Sequence, residues 1–269
     1  MSKSKIEWTE HTWNPIVGCQ NVSPGCANCY AVKMAQRLKA MGQVKYQDVV
    51  DKNGWTGVYN ADGVYETPQI PKKASVIFVC SMSDLFCEAI PGSIIQDVYD
   101  IFKQYPQHTF LVCTKRPERI VPVLYDSNYF GAGDSLANVW HLTSVENQEY
   151  ADKRNPELWR LNEWGDWKLG LSMEPLLGPI DLDRYVKEWI GQVIIGAESG
   201  PKRRECKNEH VSEMVYQCKE AGIPCFVKQI HIDGKVSKNP DEWPEDILAA
   251  RELAWMKTKH APAGGKDKL

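Results

Sequence analysis

Short apolar, β-branched runs recur along the chain, each closed by polar or glycine-containing residues and followed by a stretch with helical spacing. The runs are Thr12–Val17, Ala74–Cys80, His108–Cys113, Asn138–Thr143, Lys168–Met173, Gln192–Gly196 and Ile223–Val227. Helices are predicted between and after them at about residues 28–41, 92–104, 117–125, 147–162, 182–189 and 208–221. In the last of these, Val211, Met214, Val215 and Cys218 keep the i, i+3, i+4, i+7 spacing of a helix face, and the pattern stops at Gly222. Runs such as Val193-Ile194-Ile195 are continuously apolar, as strands buried on both faces of a parallel sheet must be. The alternation therefore predicts an α/β fold of repeated βα units, closed as a barrel or wound as an open sheet.

Residues 42–73 break this rhythm with Gly, Asn, Asp, Pro and the aromatics Trp55, Tyr59 and Tyr65, and predict an irregular insertion serving as a lid or substrate loop. Residues 1–260 are expected to form one domain with a sizeable core, and the Gly-, Lys- and Pro-containing stretch Ala261–Leu269 a disordered tail.

In parallel α/β folds ligands bind at the carboxyl ends of strands, and polar residues collect there in this sequence. The second run is followed by Ser81-Met82-Ser83-Asp84, the third by Thr114-Lys115-Arg116-Pro117-Glu118-Arg119, and the fourth by Ser144-Val145-Glu146-Asn147. Glu174-Pro175, Glu198-Ser199-Gly200 and Lys228-Gln229 follow the fifth, sixth and seventh. Singly each reads as well as a helix cap or a solvated charge, and Thr114 before Pro117 is a good capping candidate. Jointly they predict a lined cavity, in which Ser81, Ser83, Asp84, Thr114, Lys115, Arg116, Glu146, Glu174, Glu198 and Ser199 are candidate ligand-binding residues. Carboxylates there suit an ammonium group or ribose hydroxyls, and Lys115 and Arg116 suit a carboxylate or phosphate.

Net charge is −3, with a sequence pI near 6.1, so no global basic field of a non-specific nucleic-acid binder exists, although a local basic groove is compatible with it. Nine cysteines, an odd number, and no hydrophobic signal segment after Met1-Ser2-Lys3-Ser4-Lys5 predict a reduced, cytoplasmic setting. No apolar run approaches the ~20 residues needed to span a bilayer, so no membrane partner is expected.

The segment Gly18 to Tyr30 holds Cys19, Cys26 and Cys29, with Pro24 and Gly25 between. Three thiolates on one short loop suit a soft-metal site, and three protein ligands leave one position open for a substrate or cofactor. Two other readings stand beside it: a closed zinc site completed by His11 or another residue, and uncoordinated thiols. No second CxxC or HxxxH pair supports zinc, and Cys80, Cys87, Cys113, Cys206, Cys218 and Cys225 are scattered and read mostly as core.

A βα-repeat chain whose first run delivers three cysteines resembles the radical S-adenosylmethionine (SAM) enzymes. Closer still is the resemblance to radical-SAM-like three-cysteine proteins of phages and prophages. It rests on Ile6-Glu7-Trp8-Thr9, Thr12-Trp13-Asn14-Pro15, the cysteine loop through Ala31, Ser81 to Phe86, Thr114 to Pro117, Glu174 to Pro179 and Glu198 to Pro201. The resemblance implies a parallel partial TIM-like barrel of six or seven βα units. It implies that Cys19, Cys26 and Cys29 hold a 4Fe–4S cluster whose fourth iron takes SAM, and that SAM is cleaved to a 5′-deoxyadenosyl radical with an electron donor such as flavodoxin or ferredoxin. It also puts the methionine amino group against Ser81 to Asp84, with Glu146, Glu174 and Glu198 toward ribose, adenine or substrate. Two features depart from the superfamily's CxxxCxxC: six residues separate Cys19 from Cys26, and Asn28, not an aromatic, precedes Cys29.

Two function classes follow. One is a radical enzyme that modifies a nucleobase, nucleotide or nucleic acid, motivated by Lys115 to Arg119, Lys202-Arg203-Arg204 and the aromatic insertion. The other is a non-catalytic metal-stabilised binding protein or a partner subunit of a phage modification system. Trp8, Trp13 and Trp140 read as packing around the barrel mouth.

Overall fold

The apolar runs become strands of one sheet, and the computed structural model describes residues 1–66, 69–182 and 189–257. The strands are β1 (Ser2–Lys3), β2 (His11–Trp13), β3 (Val50–Asp51), β4 (Gly54–Trp55), β5 (Val76–Val79), β6 (Thr109–Thr114), β7 (Val139–Ser144), β8 (Lys168–Met173), β9 (Ile190–Gly196), β10 (Cys225–Ile232) and β11 (Lys235–Ser237). The helices are α1 (Tyr30–Ala40), α2 (Asp62–Tyr65), α3 (Gly92–Gln104), α4 (Gln148–Arg160), α5 (Asn208–Glu220), α6 (Glu245–Leu248) and α7 (Ala254–Lys257). The main sheet has the order β1-β2-β5-β6-β7-β8-β9-β10-β11, and β3 and β4 form a separate hairpin. From β2 to β10 all neighbours are parallel, whereas β1 is antiparallel to β2 and β11 to β10. Because the parallel strands lie side by side in chain order, the winding never reverses and all seven carboxyl ends share one rim. Among the described residues no ladder joins the edge strands β1 and β11, so the sheet is mostly parallel and is not closed by pairing.

Both faces of the sheet are covered, which explains its continuous apolar runs. One face carries Ile77, Val79, Phe110, Val112, Leu169, Leu171, Val193 and Ile195 against Ile95, Tyr99 and Phe102 of α3, Ala151 and Leu158 of α4 and Val211, Met214 and Cys218 of α5. The other carries Val76, Phe78, Leu111, Trp140, Leu142, Ile194 and Phe226, packed with Trp8, Leu253 and Trp255. Strand side chains alternate with period two, so the next residues on this second face are Cys113, Ser144, Ser172 and Lys228, with Gly196 ending β9. The inner face is thus apolar at one end and polar at the carboxyl rim.

Strands and helices differ from the expected spans in informative places. The first strand stops at Trp13, because Pro15 has no N–H to give to a ladder, and the chain from Asn14 becomes the approach to the cysteine loop. The expected helix at 117–125 is a 3₁₀ turn at Pro117–Arg119 followed by a π-helical turn at Pro122–Asp126, since two prolines interrupt the i→i−4 bonds. The expected irregular insertion at 42–73 is instead partly ordered: β3, β4 and α2 fold there, and Tyr46, Val49 and Val50 pack on Ala31 and Ala35 of α1. The expected helix at 182–189 and the tail 261–269 lie, apart from Leu182 and Trp189, outside the described residues. No helix among the described residues is long and apolar enough to cross a membrane.

Candidate functional site

The cysteine loop leaves the sheet through Gly18, whose φ of 100° lies in the left-handed region and whose Cβ would stand 2.3 Å from the Val58 carbonyl oxygen. Ser83 donates to the Gly18 carbonyl at 2.5 Å, joining the loop to the end of β5. Pro24 opens a 3₁₀ turn ending at Cys26, and Cys29 takes the N-cap position of α1. Cys19, Cys26 and Cys29 are all partly exposed, whereas Cys80, Cys87, Cys206, Cys218 and Cys225 are buried. The expectation of core cysteines is met there, but Cys113 is partly exposed and lines the cavity.

Three charged clasps from three strand ends hold the loop down. The Glu146 carboxylate, fully buried after β7, accepts from Ser23 Oγ at 2.5 Å, from Lys115 Nζ, and from Arg154 Nη1 at 2.8 Å. A Cβ on Gly25 would lie 2.3 Å from Glu146 Oε1, so only glycine lets the loop sit this close. Glu198, after β9, accepts from Asn28 Nδ2 at 3.0 Å and from Arg204, gripping the residue just before Cys29. Asp84, after β5, binds Arg116 Nη1 at 3.0 Å, and Arg116 Nη2 donates to the Gln20 carbonyl at 3.1 Å, next to Cys19.

Burial pushes the Glu146 carboxyl up, but Lys115 and Arg154 outweigh it and hold the group below its usual value. Glu198 is likewise held low, with burial opposed by its hydrogen bonds from Arg204 and Asn28. A hydrogen bond with Cys87, then burial, pushes the Cys19 thiol up, while the same bond pulls Cys87 down to about 6. Burial pushes the Cys29 thiol up, against the amides of Ala31 and Val32 at the start of α1.

The loop and strand ends enclose a cavity of about 610 Å³. Of the residues expected to form a site, Cys19, Cys26, Cys29, Ser81, Ser83, Asp84, Thr114, Lys115, Arg116, Glu174, Glu198 and Ser199 all line it. Glu146 does not; it sits behind the wall as an anchor. Several of the lining groups are turned to each other. Asp84 accepts from Thr114 Oγ1 at 2.7 Å, from the Lys115 amide at 3.0 Å and from the Phe86 amide at 3.0 Å, and Ser81 Oγ bonds to Asn14 Oδ1 at 3.0 Å. Thr114 Oγ1 also accepts from the Arg116 amide at 2.9 Å, but Arg116, not Thr114, takes the N-cap position of the turn that follows, so the capping expected of Thr114 is not what it does. Lys228 pairs with Glu174 at 2.7 Å.

The candidate set drawn from the sequence omits Trp8, Trp55, Cys113, Ser144, Ser172 and Lys228, which also line the cavity. The period-two alternation that puts Leu111, Leu142 and Phe226 on the inner face carries Cys113, Ser144 and Lys228 to the same side, and was the available signal. Trp55 was marked only as one aromatic of the 42–73 insertion, and of the three named there it is the one that lines the cavity. Trp8 lines the cavity but is buried in the inner core with Trp140, and Trp13 belongs to the helix-side core, so all three pack, and only the first reaches the cavity.

Among the described residues no three Cys, His, Asp or Glu side chains meet closely enough to share one ion. The three loop thiols instead border a common space, beside a buried Arg116 Nε that has no hydrogen-bond partner. An iron–sulfur cluster takes one thiolate per iron, so a donor set of three thiols around a shared space fits it.

Fold and site together define a mostly parallel α/β protein with a three-cysteine loop over a cavity at the strands' carboxyl ends. The chain belongs to the family described as "Protein of unknown function (DUF5131)", whose model matches residues 3–259. No curated protein matches it. Among solved structures it is similar to "Spore photoproduct lyase complexed with dinucleoside spore photoproduct", with a TM-score of 0.38 and 12% identity over 73% of this chain. The chain spans 58% of that structure's length.

Proposed function

We propose that this chain is a radical SAM-type enzyme in which Cys19, Cys26 and Cys29 hold a 4Fe–4S cluster. One observation carries the reading: all three loop thiols border the same cavity of about 610 Å³ at the carboxyl rim of a parallel sheet. The motif resemblance to radical-SAM-like proteins supports it independently. When bound, such a cluster with SAM on its open iron supplies reductive cleavage of SAM, with the electron coming from a flavodoxin- or ferredoxin-type donor.

The chain's own residues orient and exclude water. Glu146, Glu198 and the Asp84–Arg116 pair fix the loop, so the three thiols that would hold the cluster are anchored to three strand ends. Arg116, beside Cys19, offsets the charge that thiolate ligands bring. Trp8, Phe78 and Trp55 give the cavity apolar walls that keep solvent from a reactive intermediate. The hydroxyls of Ser83, Ser172 and Ser199 and the Lys228–Glu174 pair are polar contacts for the bound molecules.

Anaerobic reconstitution with iron and sulfide, followed by electron paramagnetic resonance of the dithionite-reduced protein, tests this. The expected result is a reduced-cluster signal that shifts on adding SAM and is lost in Cys26→Ala. One zinc per chain and no SAM-dependent spectrum would overturn it and leave a metal-stabilised binding protein.

A further inference from the structure

The carboxylates lining the cavity are all matched: Asp84 by Arg116, Glu174 by Lys228 and Glu198 by Arg204. The cations are not. Lys115 is taken by Glu146, but Lys5 and Lys238 line the same cavity, are exposed, and have no carboxylate partner among the described residues. Neighbouring elements add the same sign. Lys33 of α1 reaches to 3.4 Å from where a Gly200 Cβ would stand, next to the lining Ser199. Arg203 donates to the carbonyls of Gly200, at 3.0 Å, and Gly234, and among the described residues no carboxylate neutralises it. Lys202, exposed, is tied to the rim only through its backbone carbonyl, which accepts from Asn28 Nδ2 at 2.9 Å. A chain of net charge −3 therefore carries unmatched cations both in the lining of this cavity, at Lys5 and Lys238, and on the Gly200 segment beside it, at Lys33, Lys202 and Arg203.

The walls of the cavity are aromatic. Trp8, Phe78 and Trp55 line the cavity, with Tyr30 half-exposed at its edge. Exposed lysines around an aromatic-walled recess match a ligand with a flat apolar body and an anionic margin, which is the chemistry of a nucleotide.

We infer that the substrate is a nucleotide unit, its base inserted into the cavity and its phosphates held by Lys5, Lys33, Lys202, Arg203 and Lys238. A base in a duplex is shielded by its stack, so the unit enters unpaired, from a single strand or as a free nucleotide. The inference rests on the radical-enzyme reading for its chemistry, but the binding itself needs only the rim.

The test is fluorescence anisotropy of a labelled mixed-sequence single-stranded oligonucleotide titrated with the full chain across a salt series. For single strands the slope of log K against log salt is about −0.7 per phosphate contact, so five contacts give about −3.5. Lys5→Ala/Lys33→Ala/Lys238→Ala is expected to cut that slope by about 2, whereas Lys103→Ala/Lys153→Ala/Lys219→Ala, on the outer helices, leaves it unchanged. Competition with a nucleoside monophosphate separates the sources: displacement points to a free nucleotide, persistence to a strand. No binding at about 50 mM salt, or a slope indifferent to the rim variant, overturns the inference. The titration is run on the full chain before and after iron–sulfide reconstitution: rim-dependent binding in a protein that forms no SAM-responsive cluster sinks the cluster reading and keeps this one, so the two failures are told apart. A SAM-responsive cluster in a protein that ignores oligonucleotides and nucleotides would remove the substrate class alone.

Discussion

Replacing Glu146 by alanine takes away the acceptor shared by Ser23, Lys115 and Arg154, and so releases the clasp that holds the cysteine loop to the end of β7. The carboxylate is fully buried and the Arg154 side chain is 4% exposed, so this pair cannot be rescued by water where it stands. Breaking a buried pair by removing one partner costs about 3–5 kcal/mol, because the other charge is left without compensation. Lys115, at 18% exposure, can swing toward solvent, and Arg154 keeps its bond to the Ser144 carbonyl at 2.7 Å, which places the expected loss near 4 kcal/mol. For a chain of this size that corresponds to roughly 10 °C in Tm. Thermal and urea unfolding measure it, together with the alkylation rate of Cys26 under native conditions, which should rise as the loop lifts. Glu146→Gln, which keeps size and an acceptor, should fall between the two. The pH dependence has a definite sign: the folded carboxyl is held below its usual 4.5, so the clasp is fully present above that value and is lost as pH falls through the lower folded value. A Glu146→Ala protein within 1 kcal/mol of wild type, with Cys26 no more reactive, would refute the clasp.

Two further outcomes follow from the core. Burial depresses the His141 pKa from 6.5 to about 3, with Tyr99 Oη 3.2 Å from its Nε2. The unfolded state thus takes up the proton first, so stability should fall by about 1.4 kcal/mol per pH unit from pH 6.5 downward toward pH 3, and a His141→Gln variant should show a flatter acid limb in urea titrations. Trp255 is fully buried against Trp8 and Trp140, with ring centroids 6.5 and 5.3 Å away, and donates to the Trp8 carbonyl at 3.1 Å. Trp255→Ala should cost about 3–5 kcal/mol in denaturant unfolding and reduce the near-ultraviolet circular dichroism of the tryptophan cluster; a loss under 1 kcal/mol would mean that the carboxyl-terminal segment does not seal the inner core.

The chain's apolar runs determined by themselves that the sheet would be mostly parallel, since strands such as Val193-Ile194-Ile195 have no polar face to give to water. Period and breakers likewise determined α3 and α5, whose bounds match the sequence pattern closely, and the three-thiol loop was legible from its spacing. Local pattern misled where proline chemistry intervened, as at Pro122, and where side chains from distant segments supplied the order, as in the insertion packed on α1. The roles within the rim were a tertiary decision. A carboxylate that follows a strand looks the same in sequence whether it binds a ligand or an anchor, and only the distances separate Glu146 behind the wall from Glu174 at the mouth. Trp55 and Lys238 came to the cavity from opposite ends of the chain, and no sequence period encodes a meeting of residues 183 positions apart. Charge balance is such a property too: it depends on which acid meets which base across the fold, and that pairing left Lys5 and Lys238 unmatched at the opening.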